Sequence, residues 1–429
     1  MLDTDDQLTR LKRQIALISH KFSTQPTKPN QPLVATPPRG IHGSSARCFI
    51  EEWSEGQVVE NKFGQHFQTE RLFASHKNHG SADVGALADL PDDFLEVLGN
   101  GDLRTTPPCR WAFLDTETTG LAGGSGTYAF LIGGGRITPE GFKVRQFFMR
   151  EYAEERSILA ALEAHLSDFD VLITYNGKSY DQPLLETRYL LTHQKPPFAR
   201  LAHLDLLHGA RRLWKLRIAD CRLMQLEEQI LGVYRDGDLP GELIPYVYFE
   251  YLRSHEARRL VPIFHHNAMD ILTLACLTAI VPAAFRATDS ESLARVGVRR
   301  GEDLAGIARW LIAAEEHEQA LEVLKRAITA GLPDSLLFRA LWDTALLEKR
   351  LGRPAAALHI FTELATCRND YRVCALEEIA KYYEHGERNY AMALEFTDQA
   401  LALQPSSALT QRQMRLKRRL AKRQSRRLS

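Results

Sequence analysis

The chain has 429 residues, enough for about three domains, and its 44% hydrophobic and 25% charged residues are ordinary for a globular protein. The formal net charge of zero conceals an asymmetry, because residues 411–429 carry nine Lys or Arg and no acid, which leaves 45 basic against 54 acidic residues elsewhere. A basic tail on an acidic body indicates either a polyanionic partner or a solvated, disordered terminus.

Cysteine spacing and hydropathy exclude further classes of protein. The six cysteines are scattered and form no CxxC pair, which excludes a disulfide framework and a zinc site and predicts a reducing, cytoplasmic compartment. The acidic N-terminus is unlike a signal peptide. The longest uncharged stretch, 271–285, is shorter than the roughly 20 residues of a membrane span and contains Pro282, so no membrane partner is expected.

Residues 1–45 are predicted to form a docking helix and a linker. Four apolar residues at 3-4-3 spacing give one stripe of a short helix: Leu8, Leu11, Ile15 and Ile18. Residues 24–40 contain five prolines, which is typical of an extended linker. Residues 46–104 show a mixed pattern that predicts no particular fold, and we treat them as an accessory segment.

Strand and helix patterns alternate between residues 105 and 285. Strand-like runs with glycine-rich connections predict three consecutive antiparallel strands, at 111–115, 127–134 and 142–149. The elements predicted after them are a helix at 153–166, a strand at 171–175, a helix at about 182–192, a candidate strand at 201–207 and helices to about 284. Antiparallel strands followed by β–α alternation predict an α/β domain with a mixed sheet and flanking helices.

Residues 295–405 show helical periodicity with an internal repeat. The dipeptide Ala-Leu recurs at Ala320, Ala357 and Ala393, at intervals of 37 and 36 residues. Small residues at fixed places let paired helices pack closely, as in tetratricopeptide-like arrays with a period of about 34 residues, so an all-α domain is predicted. A plain helical bundle is the alternative, and residues 406–429 form the basic tail.

Two carboxylates end the first strand of the α/β domain. Asp115 and Glu117 share one face if the strand continues that far, because side chains i and i+2 point the same way. Like charges at this spacing raise each other's pKa unless a cation lies between them. Oxygen ligands at a strand end suit Mg²⁺ or Mn²⁺. An acidic pair alone is more often solvated, so this interpretation needs further ligands.

Two more acidic residues start helices. Asp181 follows the strand at 171–175, and on local pattern alone an N-cap role is favoured, because Asp caps helices and Pro183 suits the first turn. Asp270 heads an apolar helix, with His266 one turn earlier on the same face and His265 rotated away. Four carboxylates and a histidine can together hold two cations about 3.5–4 Å apart for an in-line phosphodiester displacement, in which the histidine holds or deprotonates the water.

These motifs resemble those of a known superfamily. The segments "FLDTETTGL", "YNGKSYDQPLL" and "HHNAMD" resemble the three motifs of the DEDD (DnaQ-like) 3′–5′ exonucleases, which have a ribonuclease-H-like fold. The stretches "TETTGLAGGSGTYAFLIGGG" and "RDGDLPGELIPYVYFEYL" narrow the resemblance to the YprB-type ribonuclease-H-like family. The resemblance covers about residues 105–285 and is more specific for fold and metal site than for substrate.

The resemblance implies a role for each motif residue. The implied metal ligands, for two Mg²⁺ or Mn²⁺ ions, are Asp115, Glu117, Asp181 and Asp270. Subfamilies place the general base either four or five positions before the last Asp, and this chain has a histidine at both. Helical phase and the polymerase-like second motif favour His266 over His265. The implied substrate-binding residues are Thr118, Thr119 and Gly120 through their backbone, Leu121 near the terminal base, and Asn176.

The expected function is that of a metal-dependent 3′–5′ exonuclease on single-stranded DNA or RNA. The basic tail would add salt-sensitive affinity for nucleic acid, and the helical repeats would bind a protein partner. Two alternatives stay open: a scaffold protein with an idle nuclease fold, and a metal-dependent endonuclease on structured nucleic acid. The intact acidic set argues against the scaffold, because an idle site would be free to lose its costly charge cluster.

Overall fold

The computed structural model describes residues 49–99, 101, 103–120, 126–287 and 290–428. The predicted N-terminal helix, the proline-rich linker and Leu121 lie outside these residues. The fold class predicted from the sequence is confirmed, because a mixed sheet with flanking helices precedes a helical region.

The described strands form one large sheet and one small ribbon. Their bounds are β1 (Gln57–Asn61), β2 (Gly64–Ala74), β3 (Asn78–His79), β4 (Ala82–Asp83), β5 (Trp111–Thr118), β6 (Ala129–Thr138), β7 (Gly141–Phe148), β8 (Val171–Thr174) and β9 (Ala202–Asp205). The large sheet has the order β1-β2-β7-β6-β5-β8-β9, and β3 pairs with β4. As predicted, β5, β6 and β7 are antiparallel neighbours, whereas β8 runs parallel to β5 and β9.

Helices cover both faces of the sheet and then continue alone. In the first part of the chain they are α1 (Glu155–Leu166), α2 (Asp181–Leu191), α3 (Leu206–Trp214), α4 (Leu223–Leu226), α5 (Ile244–Ser254) and α6 (Val261–Arg286). The later helices are α7 (Ser290–Arg295), α8 (Gly301–Ala313), α9 (His317–Ala330), α10 (Asp334–Arg350), α11 (Pro354–Thr366), α12 (Arg372–Lys381), α13 (Tyr390–Leu403) and α14 (Ser407–Leu428). A π-helical turn at Glu227–Leu231 follows α4, and another at Tyr382–Gly386 follows α12.

The segment 46–104, for which sequence patterns predict no fold, extends the sheet. Strand β2 pairs antiparallel with β7 along eight residue pairs, and β1 pairs with β2. The two strands therefore extend the sheet beyond β7, on the opposite side of β5 from β8 and β9. This segment belongs structurally with the strands that follow it.

Three consecutive glycines in β6 let a helix approach each face of the sheet. A Cβ on Gly133 would lie 2.2 Å from Ile271 Cδ1 and 2.3 Å from Asn267 Oδ1, both on α6. A Cβ on Gly134 would lie 2.7 Å from Nε2 of His165, on α1. Because successive strand residues face opposite sides, the run brings α6 against one face and α1 against the other.

An aromatic core fixes these layers. Phe130 of β6 and Phe148 of β7 are fully buried, and the Tyr248 ring of α5 stacks on Phe130 with centroids 3.9 Å apart. The Tyr248 hydroxyl donates to the carbonyl of Met149 at 3.0 Å, so its polar group is satisfied in the core. Each such ring contributes about 1.5–3 kcal/mol by burial, which makes the sheet a rigid base for the residues at its end.

The chain divides into two compact units with interleaved boundaries. The first comprises Met1–Ala210 and Asp220–Ala283, and the second comprises Arg211–Ala219 and Ala284–Ser429. Within the second unit, the Arg217 guanidinium contacts the Asp303 carboxylate at 2.9 Å, and Gly306 lies where a Cβ would be 2.6 Å from the Arg212 carbonyl oxygen. The chain therefore leaves the first unit at 211, returns at 220 and leaves again at 284.

The second unit is a succession of helices, each packed against the next. Helix α8 packs on α9, α10 on α11, and α12 on α13. The alanines of the sequence repeat, Ala320, Ala357 and Ala393, are all buried at helix contacts, in α9, α11 and α13. The all-α prediction is confirmed, while the choice between a tetratricopeptide-like array and a plain helical bundle stays a prediction.

The basic tail is helical, not a disordered terminus. Arg412, Arg415 and Arg419 of α14 contact the carboxylate of Glu384 at 3.2, 2.8 and 3.4 Å. Glu384 is buried; burial alone raises its pKa, but Arg415 and Arg412 hold the pKa below its usual value. A buried carboxylate needs such partners, so part of the tail's positive charge serves to dock α14 on the helical array.

One helical stretch of the described chain, Ala257–Arg286, is long and apolar enough to cross a membrane by length and composition alone. It is longer than the uncharged stretch 271–285, because the helix continues through the polar residues before Asp270. Inside the structure, 72% of its apolar window is buried, as in the central helix of a globular domain. A single helix of this kind is a weak indication of a membrane span.

Candidate active site

Strand β5 carries Asp115 and Glu117 on one face. Its first four residues, Trp111–Leu114, are buried, and the strand continues to Thr118, so the condition for a shared face is met. Asp115 lies opposite Gly133 of β6, and the pairing register shifts between Glu117 and Thr118. The buried half of the strand therefore anchors two half-buried carboxylates at its end.

Asp181 is the first residue of α2 and not its N-cap, which is Tyr180. The N-cap role favoured by the local pattern is therefore wrong. The Asp181 carboxylate instead accepts a hydrogen bond from Thr116 Oγ1 at 2.5 Å, which ties the start of α2 to β5. Thr116 lies between the two acidic residues of the strand, so this contact brings the second motif to the first.

Helix α6 brings the third motif to the same place through Asn267. Its Nδ2 donates to Oδ2 of Asp115 at 2.8 Å. Its Oδ1 accepts from Nε2 of Gln146 at 2.9 Å, and the other end of that amide accepts from Thr69 Oγ1 at 3.0 Å. This chain of bonds fixes the Asn267 amide so that its donor, not its acceptor, faces the carboxylate of Asp115.

The four predicted carboxylates are close enough for their charges to interact. Burial, with the charges of Asp270, Glu117 and Asp181, raises the pKa of Asp115 well above its usual value. Burial raises the pKa of Glu117 to about 8, with His266 opposing and Asp270 and Asp181 adding to it. Burial also raises the pKa of Asp181 to about 6. The cluster thus concentrates negative charge that its surroundings do not fully neutralise.

Of the two candidate histidines, His266 faces the carboxylates. Its Nδ1 lies 2.7 Å from Oδ2 of Asp238, and its Nε2 lies 3.5 Å from Oδ2 of Asp270. Burial lowers the pKa of His266, but Asp270, Asp238 and Glu117 outweigh burial and raise the pKa to about 10. In the ion-free protein this histidine therefore carries a proton that offsets part of the negative charge.

His265 lies in a different environment. Its Nδ1 is 3.3 Å from the Arg71 guanidinium of β2. Burial, with the charge of Arg71, lowers the pKa of His265. The one-residue difference along α6 therefore turns the two imidazoles toward neighbours of opposite charge.

The predicted substrate-binding residues lie around the end of β5 and the start of α2. Thr118 Oγ1 donates to the carbonyl of Gly120 at 2.8 Å, and the Thr119 amide donates to the carbonyl of Tyr128 at 2.9 Å. Asn176 has φ 66° in the turn after β8, and its amide donates to Asp205 at 2.8 Å. Their backbone is therefore held by local hydrogen bonds, while their role in substrate binding stays a prediction.

A loop outside the three motifs completes the site. Arg235 is almost fully buried, with its Nη2 2.6 Å from Oδ1 of Asp270 and its Nε 2.6 Å from Oε2 of Glu227. The sequence interpretation assigned no role to Arg235, Asp238 or Asn267. The sequence contains a run of charged residues with a glycine, "RDGD", but this pattern does not reveal which way the side chains point.

The donor chemistry of the cluster fits a divalent cation. Four carboxylates offer hard oxygen ligands, and the raised pKa values of Asp115, Glu117 and Asp181 mark a place that lacks positive charge. Across the described ranges, no three Asp, Glu, His or Cys side chains already stand in position to coordinate one ion. The carboxylates have other partners instead: Asn267 for Asp115, Thr116 for Asp181 and Arg235 for Asp270. Each contact occupies one oxygen of its carboxylate, and an ionised carboxylate keeps further lone pairs that can ligate a cation.

Comparisons with known proteins found a family model, a relative and a similar solved structure. A family model described as RNase_H superfamily matches residues 112–281, which contain all three motifs. The uncharacterized protein YprB of Bacillus subtilis is 35% identical over 294 residues, covering 68% of this chain and 68% of that protein. Among solved structures, the family B DNA polymerase from the hyperthermophilic archaeon Pyrobaculum calidifontis is similar at 16% identity and a TM-score of 0.33, over 58% of this chain and 30% of the polymerase chain. The chain belongs to the family of YprB, and its residues 112–281 match the RNase H superfamily.

Proposed function

We propose that this protein is a metal-dependent nuclease, and more specifically a 3′–5′ exonuclease that hydrolyses single-stranded DNA or RNA. The observation that carries the proposal is the meeting of Asp115, Glu117, Asp181 and Asp270 from three distant segments, with His266 facing them. Membership of the RNase H superfamily supports a nuclease fold. Binding of divalent cations would offset the repulsion between four carboxylates that are held together.

The four carboxylates would hold two Mg²⁺ or Mn²⁺ ions. Such ions, when bound, stabilise the attacking and leaving oxygens of an in-line phosphodiester displacement. The chain's own contribution is to place oxygen ligands on a rigid strand end, at the start of α2 and within α6. Asp270 was predicted to head its helix, but it lies nine residues after Val261, because α6 begins before the histidines. Asn267 holds the Asp115 carboxylate in one orientation, and His266 is the group that can take a proton from the attacking water.

Proton release would accompany ion binding. In the ion-free protein, protons on Glu117 and His266 and the guanidinium of Arg235 offset the negative charge. A bound cation would lower the pKa of Glu117 and of His266, so that the imidazole would be neutral and able to accept a proton.

The remaining parts of the chain have supporting roles in this proposal. Residues 105–285 form the exonuclease domain, 295–405 tetratricopeptide-like repeats that bind a protein partner, and 406–429 a tail that adds affinity for nucleic acid. Three arginines of that tail also contact Glu384. The setting in this proposal is the reducing cytoplasm.

The test is a nuclease assay on end-labelled single strands of DNA and RNA. We expect shortening from the 3′ end with Mg²⁺ or Mn²⁺, no reaction with EDTA, and no reaction for Asp115→Asn. The exposed Asp168→Asn is the matched control and should keep full activity. An active Asp115→Asn protein would refute the proposal, and cleavage of a circular single strand would replace the exonuclease by an endonuclease.

A further inference from the structure

Asp238 is the partner of the His266 imidazole. Its Oδ2 lies 2.7 Å from His266 Nδ1, and both side chains are about nine-tenths buried. Its other oxygen, Oδ1, accepts the backbone amide of Leu239 at 2.9 Å, so the carboxylate cannot rotate freely. An ionised carboxylate accepts only, so Nδ1 must be the donor in this contact.

The donor at Nδ1 decides what the other ring nitrogen does. A neutral imidazole carries one proton, so a proton fixed on Nδ1 leaves the lone pair on Nε2. In this structure Nε2 faces the carboxylate of Asp270, at 3.5 Å, on the side of the acidic cluster. Asp238 therefore selects the tautomer and the ring orientation that a base at this site needs.

The loop that carries Asp238 is itself fixed to α6 and to the π-helical turn after α4. Arg235 reaches Asp270 and Glu227 at 2.6 Å each and lies 3.4 Å from Oδ2 of Asp238. Glu227 is fully buried and accepts from Thr273 Oγ1 at 2.7 Å. Because Arg235 joins both elements, the loop cannot shift without breaking buried ion pairs.

A left-handed glycine makes this arrangement of the loop feasible. Gly237 has φ 77°, a conformation that other residues rarely adopt, and the amide of Asp238 donates to the carbonyl of Arg235 at 3.3 Å. This tight turn points the side chains of both Arg235 and Asp238 into the site, where the one meets Asp270 and the other His266.

We propose that Asp238 is a positioning residue for His266, holding the imidazole by Nδ1 so that Nε2 is presented to the acidic cluster. Groups of this kind act through the residue they orient, and their loss typically reduces activity about 10- to 100-fold. The inference rests on the proposed nuclease function for its kinetic consequence, and on geometry alone for the contact itself.

The contact is tested without any ion or substrate. In the ion-free protein, proton NMR should show a downfield imidazole N–H resonance that is lost in both His266→Gln and Asp238→Ala and retained in Glu242→Gln. Glu242 is an exposed carboxylate four residues along the chain and serves as the control. A resonance that persists in Asp238→Ala would overturn the contact.

The role is tested by a double-mutant cycle in single-turnover assays on a 5′-labelled oligonucleotide. Asp238→Ala should slow cleavage at saturating substrate about 10- to 100-fold, with the substrate Kd changed less than about twofold. In the His266→Gln background the same change should have no further effect, because Asp238 acts only through His266. Asp238→Asn, which keeps the shape, gives the same reading if the alanine variant folds poorly.

The outcomes separate the two hypotheses. An inactive parent protein with the N–H resonance intact would refute the nuclease function and leave the contact standing. An active parent whose Asp238 variants cleave at the parental rate would refute the positioning role alone. Equal, additive losses in both backgrounds, or a loss of substrate affinity in place of rate, would assign Asp238 a general structural role and overturn the proposal.

Discussion

The crowding of carboxylates at the end of β5 should destabilise the ion-free protein in a pH-dependent way, and Glu117→Gln should relieve it. Burial raises the pKa of Glu117 from 4.5 to about 8. Between those pH values the folded state keeps the proton while the unfolded state releases it, so stability falls as pH rises through this window. The glutamine variant carries no charge and escapes this loss.

The size of the effect follows from the two pKa values. A difference of about 3.5 corresponds to at most about 5 kcal/mol in the free energy of unfolding. Because neighbouring carboxylates share the protonation, we expect Glu117→Gln to gain about 3 kcal/mol at pH 8.5 and less than about 1 kcal/mol at pH 5. For a unit of this size, 3 kcal/mol corresponds to a melting temperature about 6–12 °C higher.

The assay is thermal unfolding of the parent and the variant in EDTA at both pH values. The transition to be compared is that of the first unit, which contains Glu117. Glu60→Gln, an exposed carboxylate on β1, is the control and should change neither melting temperature. Added Mg²⁺ or Mn²⁺ should stabilise the parent and reduce the difference in melting temperature between parent and variant. A variant no more stable than the parent at pH 8.5, or an equal gap at both pH values, would refute the argument.

Two further predictions concern packing and the tail. Gly133→Ala should lower the free energy of unfolding by about 1–3 kcal/mol and reduce nuclease activity, because the new methyl group displaces Asn267. Unfolding and cleavage assays check the two effects. Gly126→Ala, which has open space around it, is the control and should change neither. Glu384→Gln should weaken the docking of α14, lowering the free energy of unfolding by about 2 kcal/mol and speeding tryptic cleavage of the tail. The control, a Glu387→Gln protein changed at an exposed site, should be cleaved at the parental rate.

Sequence patterns predicted the parts of this fold that rest on local periodicity. The antiparallel strands β5, β6 and β7 and the buried repeat alanines follow from alternation and spacing along the chain. The pairing of β2 with β7 does not, because it joins segments about 75 residues apart and leaves no local signal. The helical tail was equally hidden, since the partner that orders it, Glu384, is fixed only by tertiary packing.

The acidic residues of the site were visible in the sequence because ligand chemistry limits them to a few residue types in short motifs. The position of Asp270 was not, since it lies within α6 and not at its start. The residues that hold these acidic side chains were not visible either. Whether Asp238 faces His266 depends on the turn at Gly237, and whether Asn267 reaches Asp115 depends on the glycines of β6. Local preference also misled at Asp181, where a good capping residue sits one position too late and binds Thr116 instead.

The interleaved boundary between the two units limits how this protein can be divided. A fragment that stops at 283 would keep Arg211–Ala219 but lose Asp303, the counter-ion of Arg217, and the backbone around Gly306 that covers this segment. A single cut in the chain therefore cannot separate the two units, because it would expose residues 211–219 or remove them from the second unit. The roles of the two units are therefore better tested by point substitution than by cutting the chain.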